Sequence, residues 1–392
     1  KNVAMPSLSL KLGAFVSLFV SVFVGTFFSG VPRRLGFYRW LGALNPRFRG
    51  FSPAFLDGVP NLYSYDELQR RTDLTGLTAI VTGANSGIGY WASRHLAAQG
   101  ADVVMACRHP GRCDSAAARI TADLGSIGGR AHPGGSVTTM DLDTSSPASV
   151  RSFADRYTTK RPGPLDMLVL NAGIGVSPEE GDTTADGIDL IFATNHVGHQ
   201  LLYGLLLSQL LESGEKTVSG AKVVLTSSVY HYAPPRWGVG LSKSQINGVG
   251  VQDQYTQSKL AQILFAQEAT RRLDLMGTRA SSNVFVNSFN PGVVDTNIWT
   301  ETKRYLSKIR FFGWILEAGL KFWHENFMFT PEEGALTLLY LAADPSVSRD
   351  RIRGKYFHPQ AVETEPHPVT RNETLQIALW DFTENLIVES QF

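Results

Sequence analysis

Hydrophobic positions follow two different patterns along the 392 residues of this chain. Residues 12–31 carry no charge and are dense in Phe, Val and Leu. A helix of that length spans about 30 Å, the thickness of bilayer hydrocarbon, so the stretch predicts a transmembrane helix. Lys11 precedes it, while Pro32, Arg33, Arg34, Arg39, Arg47 and Arg49 follow, with no acid before Asp57. That basic excess assigns the C-terminal side to the cytoplasm, stroma or matrix. Residues 1–34 therefore read as a single-pass membrane anchor, and residues 35–72, with Pro46, Pro53 and Pro60 among aromatics, as a connector.

From residue 73 to 392 the pattern changes to an alternation of strands and helices. Short apolar, β-branched runs at 77–81, 103–107, 165–170, 222–226 and 284–289 predict strands. Helical spacing at 90–99, 115–124, 190–211 and 255–273 fills the intervals. Thr330-Pro331-Glu332-Glu333 caps a further helix running to Ala342. This βαβ rhythm is that of an α/β domain with a Rossmann-type, doubly wound parallel sheet, whose ligands sit at the carboxyl ends of the strands.

The first strand runs into Thr82-Gly83-Ala84-Asn85-Ser86-Gly87-Ile88-Gly89 and then a helix. Glycines let the backbone approach a diphosphate, and the free N–H groups of the helix start point at it. The spacing Gly-x-x-x-Gly-x-Gly, within T-G-x-x-x-G-I-G, resembles the short-chain dehydrogenase/reductase family. Further along, Tyr255 and Lys259 lie four apart on one helix face. An ammonium beside a phenol lowers its pKa and fits it to protonate a carbonyl or deprotonate an alcohol. Asn195 is a polar residue inside an otherwise apolar helix, where it needs a partner.

The resemblance covers about residues 73–388 and adds roles to these residues. It implies Tyr255 as acid/base, Lys259 as its tuner and ribose ligand, Ser228 as the hydroxyl that orients the substrate oxygen, and Asn195 as the holder of a relay water. It also implies cofactor contacts at Gly83, Asn85, Ser86, Gly87, Ile88 and Gly89, an adenine contact at Asp141-Leu142, and a sheet-stabilising Asn171-Ala172-Gly173. Pro291, Gly292, Val294 and Thr296 belong to its nicotinamide-holding element. Where an NAD site carries an acid about twenty residues past the glycine turn, this chain has Arg108, a guanidinium suited to a 2′-phosphate, so the cofactor is expected to be NADP(H). One departure stands out: 27 residues separate Ser228 from Tyr255, about twice the family's usual interval. The enlarged loop, with Ser227-Ser228-Val229-Tyr230-His231, resembles the retinol-dehydrogenase-like branch, related to protochlorophyllide reductases.

Composition narrows this picture. A net charge of +1 gives no basic field for nucleic acid. Cys107 and Cys113 make no metal set and are expected as reduced thiols. His196 and His199 could share a helix face but lack further ligands, so no metal is expected. Between Thr296 and Thr330, Ile309, Phe312, Leu316, Leu320, Trp323 and Phe327 recur at helical spacing beside Lys303, Arg304, Lys308, Arg310 and Lys321. Such a face suits the membrane interface and reads as a substrate lid at about 299–330. The expected activity is hydride transfer to or from a lipophilic carbonyl or alcohol at the bilayer. The alternatives are a protochlorophyllide-reductase-like enzyme and a non-catalytic NADP(H)-binding subunit of a membrane complex.

Overall fold

The computed structural model describes residues 63–127, 134–175, 182–292, 294 and 329–390. The expected anchor at 12–31, most of the connector, Thr296 and nearly all of the expected lid lie outside these. Among the described residues no helix is long and apolar enough to cross a membrane.

Eight strands form one sheet: β1 (Thr78–Thr82), β2 (Asp102–Cys107), β3 (Ser136–Asp141), β4 (Met167–Leu170), β5 (Ala221–Thr226), β6 (Val284–Phe289), β7 (Tyr356–His358) and β8 (Val362–Glu363). Their spatial order is β3-β2-β1-β4-β5-β6-β7-β8. All neighbours are parallel except β7 and β8. The order reverses between β1 and β4, which opens a crevice at their carboxyl ends.

Alternation along the strands splits the core in two. Ala79, Val81, Val103 and Met105 face a layer built from α2 (Gly87–Ala98), α3 (Pro110–Ile127) and α9 (Pro331–Ala343), with α1 (Tyr65–Arg71) against α9. Ile80, Val104, Leu168 and Leu170 face the other layer. That layer is α4 (Pro147–Lys160), the long α5 (residues 190–216), α7 (Val251–Met276) and α11 (Glu373–Glu389). Short helices α6 (Lys243–Asn247), α8 (Arg279–Ser282) and α10 (Ser346–Arg349) are the remaining α-helices among the described residues. Strands buried on both sides read as unbroken apolar runs, which is why five of them were visible in the sequence.

The edge strand β3 alternates exposed and half-buried positions and has no such run. The connector's last residues pack on the domain: the Tyr63 hydroxyl donates to Asp344 Oδ2 at 2.6 Å.

One expectation is corrected. Cys107 and Cys113 are joined by a disulfide, not held as separate thiols. The turn after β2 folds the start of α3 back over the strand end and brings the two Cα atoms to 6.0 Å, within bridging range. The inference of a reducing compartment from free thiols loses its basis.

Candidate active site

The glycine turn is built from backbone packed on backbone. Gly83 has φ +67°, and a Cβ there would stand 2.9 Å from Ala172 Cα. A Cβ on Gly89 would stand 2.5 Å from the Gly83 carbonyl oxygen and 2.8 Å from Asn171 Nδ2. Ser86 is the N-cap residue of α2, yet its side chain makes no capping bond. The first N–H groups of α2 therefore face the crevice, where they suit a diphosphate. A turn packed this closely, opening on unbonded N–H groups at a helix start, fits a dinucleotide.

Beside it, the Thr82 hydroxyl accepts from the backbone N–H groups of Asn171 and Ala172, each at 2.9 Å. It also meets His199 Nε2 at 3.2 Å, and Asn171 Nδ2 donates to the Thr82 carbonyl at 3.0 Å. The expected Asn171-Ala172-Gly173 element thus holds β1 and β4 together beside the turn. Thr82 was missed as a hub, because a Thr at a strand end carries no signal by itself.

Asn195 lies in a π turn, Ala193–Val197, inside α5. Its Oδ1 accepts from the Ile174 N–H at 2.9 Å, and its Nδ2 donates to the Ile174 carbonyl and to Ser258 Oγ, both at 3.0 Å. The Asn195 carbonyl lies in the same turn. Gln262 Nε2 donates to that oxygen, and His199 Nδ1 lies 3.0 Å from it. Tyr255, Ser258, Lys259 and Gln262 recur at helical spacing along α7, so this spacing was the signal that could have found Ser258 and Gln262. The two histidines do not act together: His199 meets Thr82, whereas His196 Nε2 meets Thr383 Oγ1 at 3.0 Å. Both are fully buried, and burial pushes each down to about 3, so both are neutral core groups.

Ser228, Tyr255 and Lys259 converge across β5 and α7. The half-buried Tyr255 is hydrogen-bonded to the Ser228 side chain. Lys259 Nζ lies 5.6 Å from the Tyr255 ring centroid and donates to the Thr226 carbonyl at 3.0 Å. The space a Gly173 side chain would take is bounded by Asn195 Oδ1 at 3.0 Å and Lys259 Nζ at 3.4 Å. Ser227 instead donates to the Lys259 carbonyl at 2.7 Å, which separates the paired serines into a structural one and an open one.

The phenol is expected to be lowered by the adjacent ammonium, but burial dominates at this site. Burial pushes Tyr255 up to about 12, against the opposing Ser228 hydrogen bond, and burial brings Lys259 down to about 8.

The remaining expected contacts line the same edge. Cys107 pairs with Asp141 in register, so Arg108 follows the end of β2 beside them; Arg108 and Asp141 are exposed and Leu142 is buried. Gly292 has φ +89°, and its N–H donates to Asn290 Oδ1 at 3.0 Å. Pro291 is half-buried and Val294 buried, pairing with Phe329 as an isolated bridge. Asn290 was not singled out from the sequence. Its Nδ2 is buried without a hydrogen-bond partner among the described residues, a spare donor at the edge where a carboxamide would sit.

A glycine cradle at a helix start, followed by this Ser–Tyr–Lys–Asn set on a doubly wound sheet, defines a nucleotide-dependent oxidoreductase. The chain belongs to the short chain dehydrogenase family, whose model matches residues 77–306. It is 34% identical over 314 residues to mouse (Mus musculus) retinol dehydrogenase 14, covering 80% of this chain and 86% of that one. It is 36% identical over 308 residues to mouse polyprenol dehydrogenase, covering 78% and 82%. It is 30% identical over 333 residues to the chloroplastic short-chain dehydrogenase TIC 32 B of Brassica napus, covering 84% and 94%. L-sorbose reductase of Gluconobacter frateurii, solved with NADPH and L-sorbose, shares the fold: TM-score 0.56, 19% identity, 74% of this chain and 98% of that one.

Proposed function

We propose that this chain is a membrane-anchored, NADP(H)-dependent oxidoreductase acting on a lipophilic carbonyl or alcohol. The observation that carries the reading is the convergence of Ser228, Tyr255, Lys259 and Asn195 beside the glycine cradle. Bound nicotinamide supplies or accepts the hydride. Tyr255 gives a proton to the nascent alkoxide, or takes one from the alcohol. Ser228 holds the same oxygen by a second hydrogen bond and so fixes the distance to Tyr255. Lys259, beside the Tyr255 ring, would hold the ribose, and Asn195 would hold the water through which the proton is replaced. Gly83, Asn85, Ser86, Gly87, Ile88 and Gly89 would receive the diphosphate, Asp141 and Leu142 the adenine, and Arg108 the 2′-phosphate. Pro291, Gly292, Val294 and Thr296 would clasp the carboxamide.

The lipophilic substrate class is supported by relatives named for retinol and polyprenol. Val294 and Phe329, which flank the apolar, basic stretch, pair directly. That bridge adjoins the nicotinamide clasp, which suits a lid over 299–330. Anchor and lid together would hold the pocket mouth at the bilayer. The test is turnover of the full chain in lipid vesicles with NADPH and a series of aldehydes, from propanal to all-trans-retinal. Faster reduction of the long members supports the reading. Preference for propanal overturns the lipophilic substrate, and NADPH binding without turnover of any member favours a non-catalytic subunit.

A further inference from the structure

His231 is completely buried and is not used in the mechanism above. It lies three residues past Ser228, in the single turn Val229–Tyr232 that Ser228 caps through its Oγ, which accepts from the Tyr230 N–H at 3.3 Å. His231 Nδ1 stands 2.7 Å from the Ser228 carbonyl oxygen. Its other nitrogen, Nε2, stands 3.3 Å from the backbone nitrogen of His367. A backbone N–H can only donate, so Nε2 accepts and Nδ1 carries the proton. With the Tyr356 hydroxyl also 3.4 Å from Nδ1, the tautomer is fixed by the two backbone partners: the ring donates to the serine's carbonyl and accepts from the C-terminal segment. Burial, reinforced by His358 and His367, keeps it neutral, at about 3.

The same two segments are fastened repeatedly. The Tyr232 hydroxyl donates to the Glu365 carbonyl at 2.6 Å. A side chain on Gly238 would meet Val369 and Leu375, each at 3.4 Å. The His231 ring sits 4.7 Å from that of Tyr356 on β7. The enlarged loop between Ser228 and Tyr255 thus rests on residues 356–375, and His231 is its contact nearest to the serine.

We propose that His231 is a positioning residue: its Nδ1–H bond to the Ser228 carbonyl sets the serine hydroxyl against the substrate oxygen, and its Nε2 bond ties that setting to the C-terminal segment. The inference rests on the reading of Ser228 as the substrate-orienting hydroxyl. Asn at 231 returns an N–H near the Nδ1 position, whereas Gln reaches only the Nε2 position. A displaced hydroxyl slows the chemical step without touching the glycine cradle.

The test compares His231→Gln, His231→Asn, Ser228→Ala and the double variant Ser228→Ala/His231→Gln. The full chain is assayed in vesicles with all-trans-retinal, and NADPH affinity is read by fluorescence. Gln should lower kcat by about 10–100-fold, the scale of a misplaced reacting group, with NADPH affinity unchanged. Asn should recover most of that loss. The double variant should be no slower than Ser228→Ala, because His231 acts only through that serine. Full activity of His231→Gln, loss of NADPH binding in it, or a double variant slowed by both factors multiplied overturns the proposal. Full activity of Ser228→Ala overturns the serine's role itself, and the proposal with it.

Discussion

Asn195 Nδ2 and Ser258 Oγ are 3.0 Å apart, and Ser258 Oγ donates in turn to the Tyr255 carbonyl at 2.8 Å. The π turn of α5 is thereby stitched to the turn of α7 that carries Tyr255 and Lys259. Nothing in this stitch involves the Tyr255 hydroxyl. Tyr255→Phe should therefore leave NADPH affinity within about twofold and lower kcat by roughly 10²–10⁴, the usual contribution of a positioned acid. Lys259→Ala should harm both, since the ribose role proposed for Lys259 would be lost as well. Single-turnover rates and NADPH titration separate the two variants; Tyr255→Phe retaining a tenth of wild-type kcat would remove the assignment.

Arg108 is exposed at the end of β2, with no acid between Met105 and His109. Arg108→Ala should weaken NADPH binding by about 1.5–3 kcal/mol, the scale of a charge-assisted bond, and leave NADH binding nearly unchanged. Equal losses for the two cofactors would mean that Arg108 does not read the 2′-phosphate.

Four buried histidines, His196, His199, His231 and His358, are each held down at about 3 by burial. Their folded values lie below the unfolded value of about 6.5, so the unfolded chain binds protons first. Stability should be complete above pH 6.5 and fall as the pH drops toward 3. At pH 5 each fully buried ring weakens the fold by up to about 2 kcal/mol. Urea unfolding at pH 7.5 and pH 5 measures this, and His196→Phe should reduce the difference. An unchanged difference in that variant would assign the acid lability elsewhere.

Gly89 offers a stricter check on the cradle. Its α-hydrogen faces the Gly83 carbonyl where a methyl would stand 2.5 Å away. Gly89→Ala must push α2 off β1 or close the turn. A loss of about 1–3 kcal/mol in stability is expected, typical of overpacking, with a greater loss in NADPH affinity. Wild-type affinity in a folded Gly89→Ala protein would show that the turn does not receive the diphosphate.

Asn372-Glu373-Thr374 is a glycosylation acceptor, and Asn372 is exposed at the start of α11. Expressed in a secretory-membrane system, the full chain should carry no glycan there if the domain lies on the cytoplasmic side. A glycosidase-sensitive mass shift, absent in Asn372→Gln, would reverse the proposed topology.

The legible parts of the sequence were those where one physical demand fixes one residue type. Runs buried on both faces announced β1, β2, β4, β5 and β6. The box at Thr330 and Glu333 announced α9, and the structure forms both of its bonds, at 2.8 and 3.2 Å. Tyr255 and Lys259 were legible because their chemistry needs one helix face. What stayed hidden depends on where the chain folds back. Nothing local says that Cys113 returns to Cys107, that Gln262 donates to the Asn195 carbonyl of another helix, or that Asn290 keeps a buried donor at the crevice. The half-exposed β3 and the three-residue β7 are too weakly patterned to stand out.

The π turn gives α5 one residue more than a regular helix of its length would hold. Removing Thr194 would heal the ladder, yet it would rotate Asn195 about 100° around the axis relative to one of its flanks. That rotation would break the bonds of Asn195 to Ile174 and Ser258, so the bulge is held by contacts that a regular helix in its place would not make.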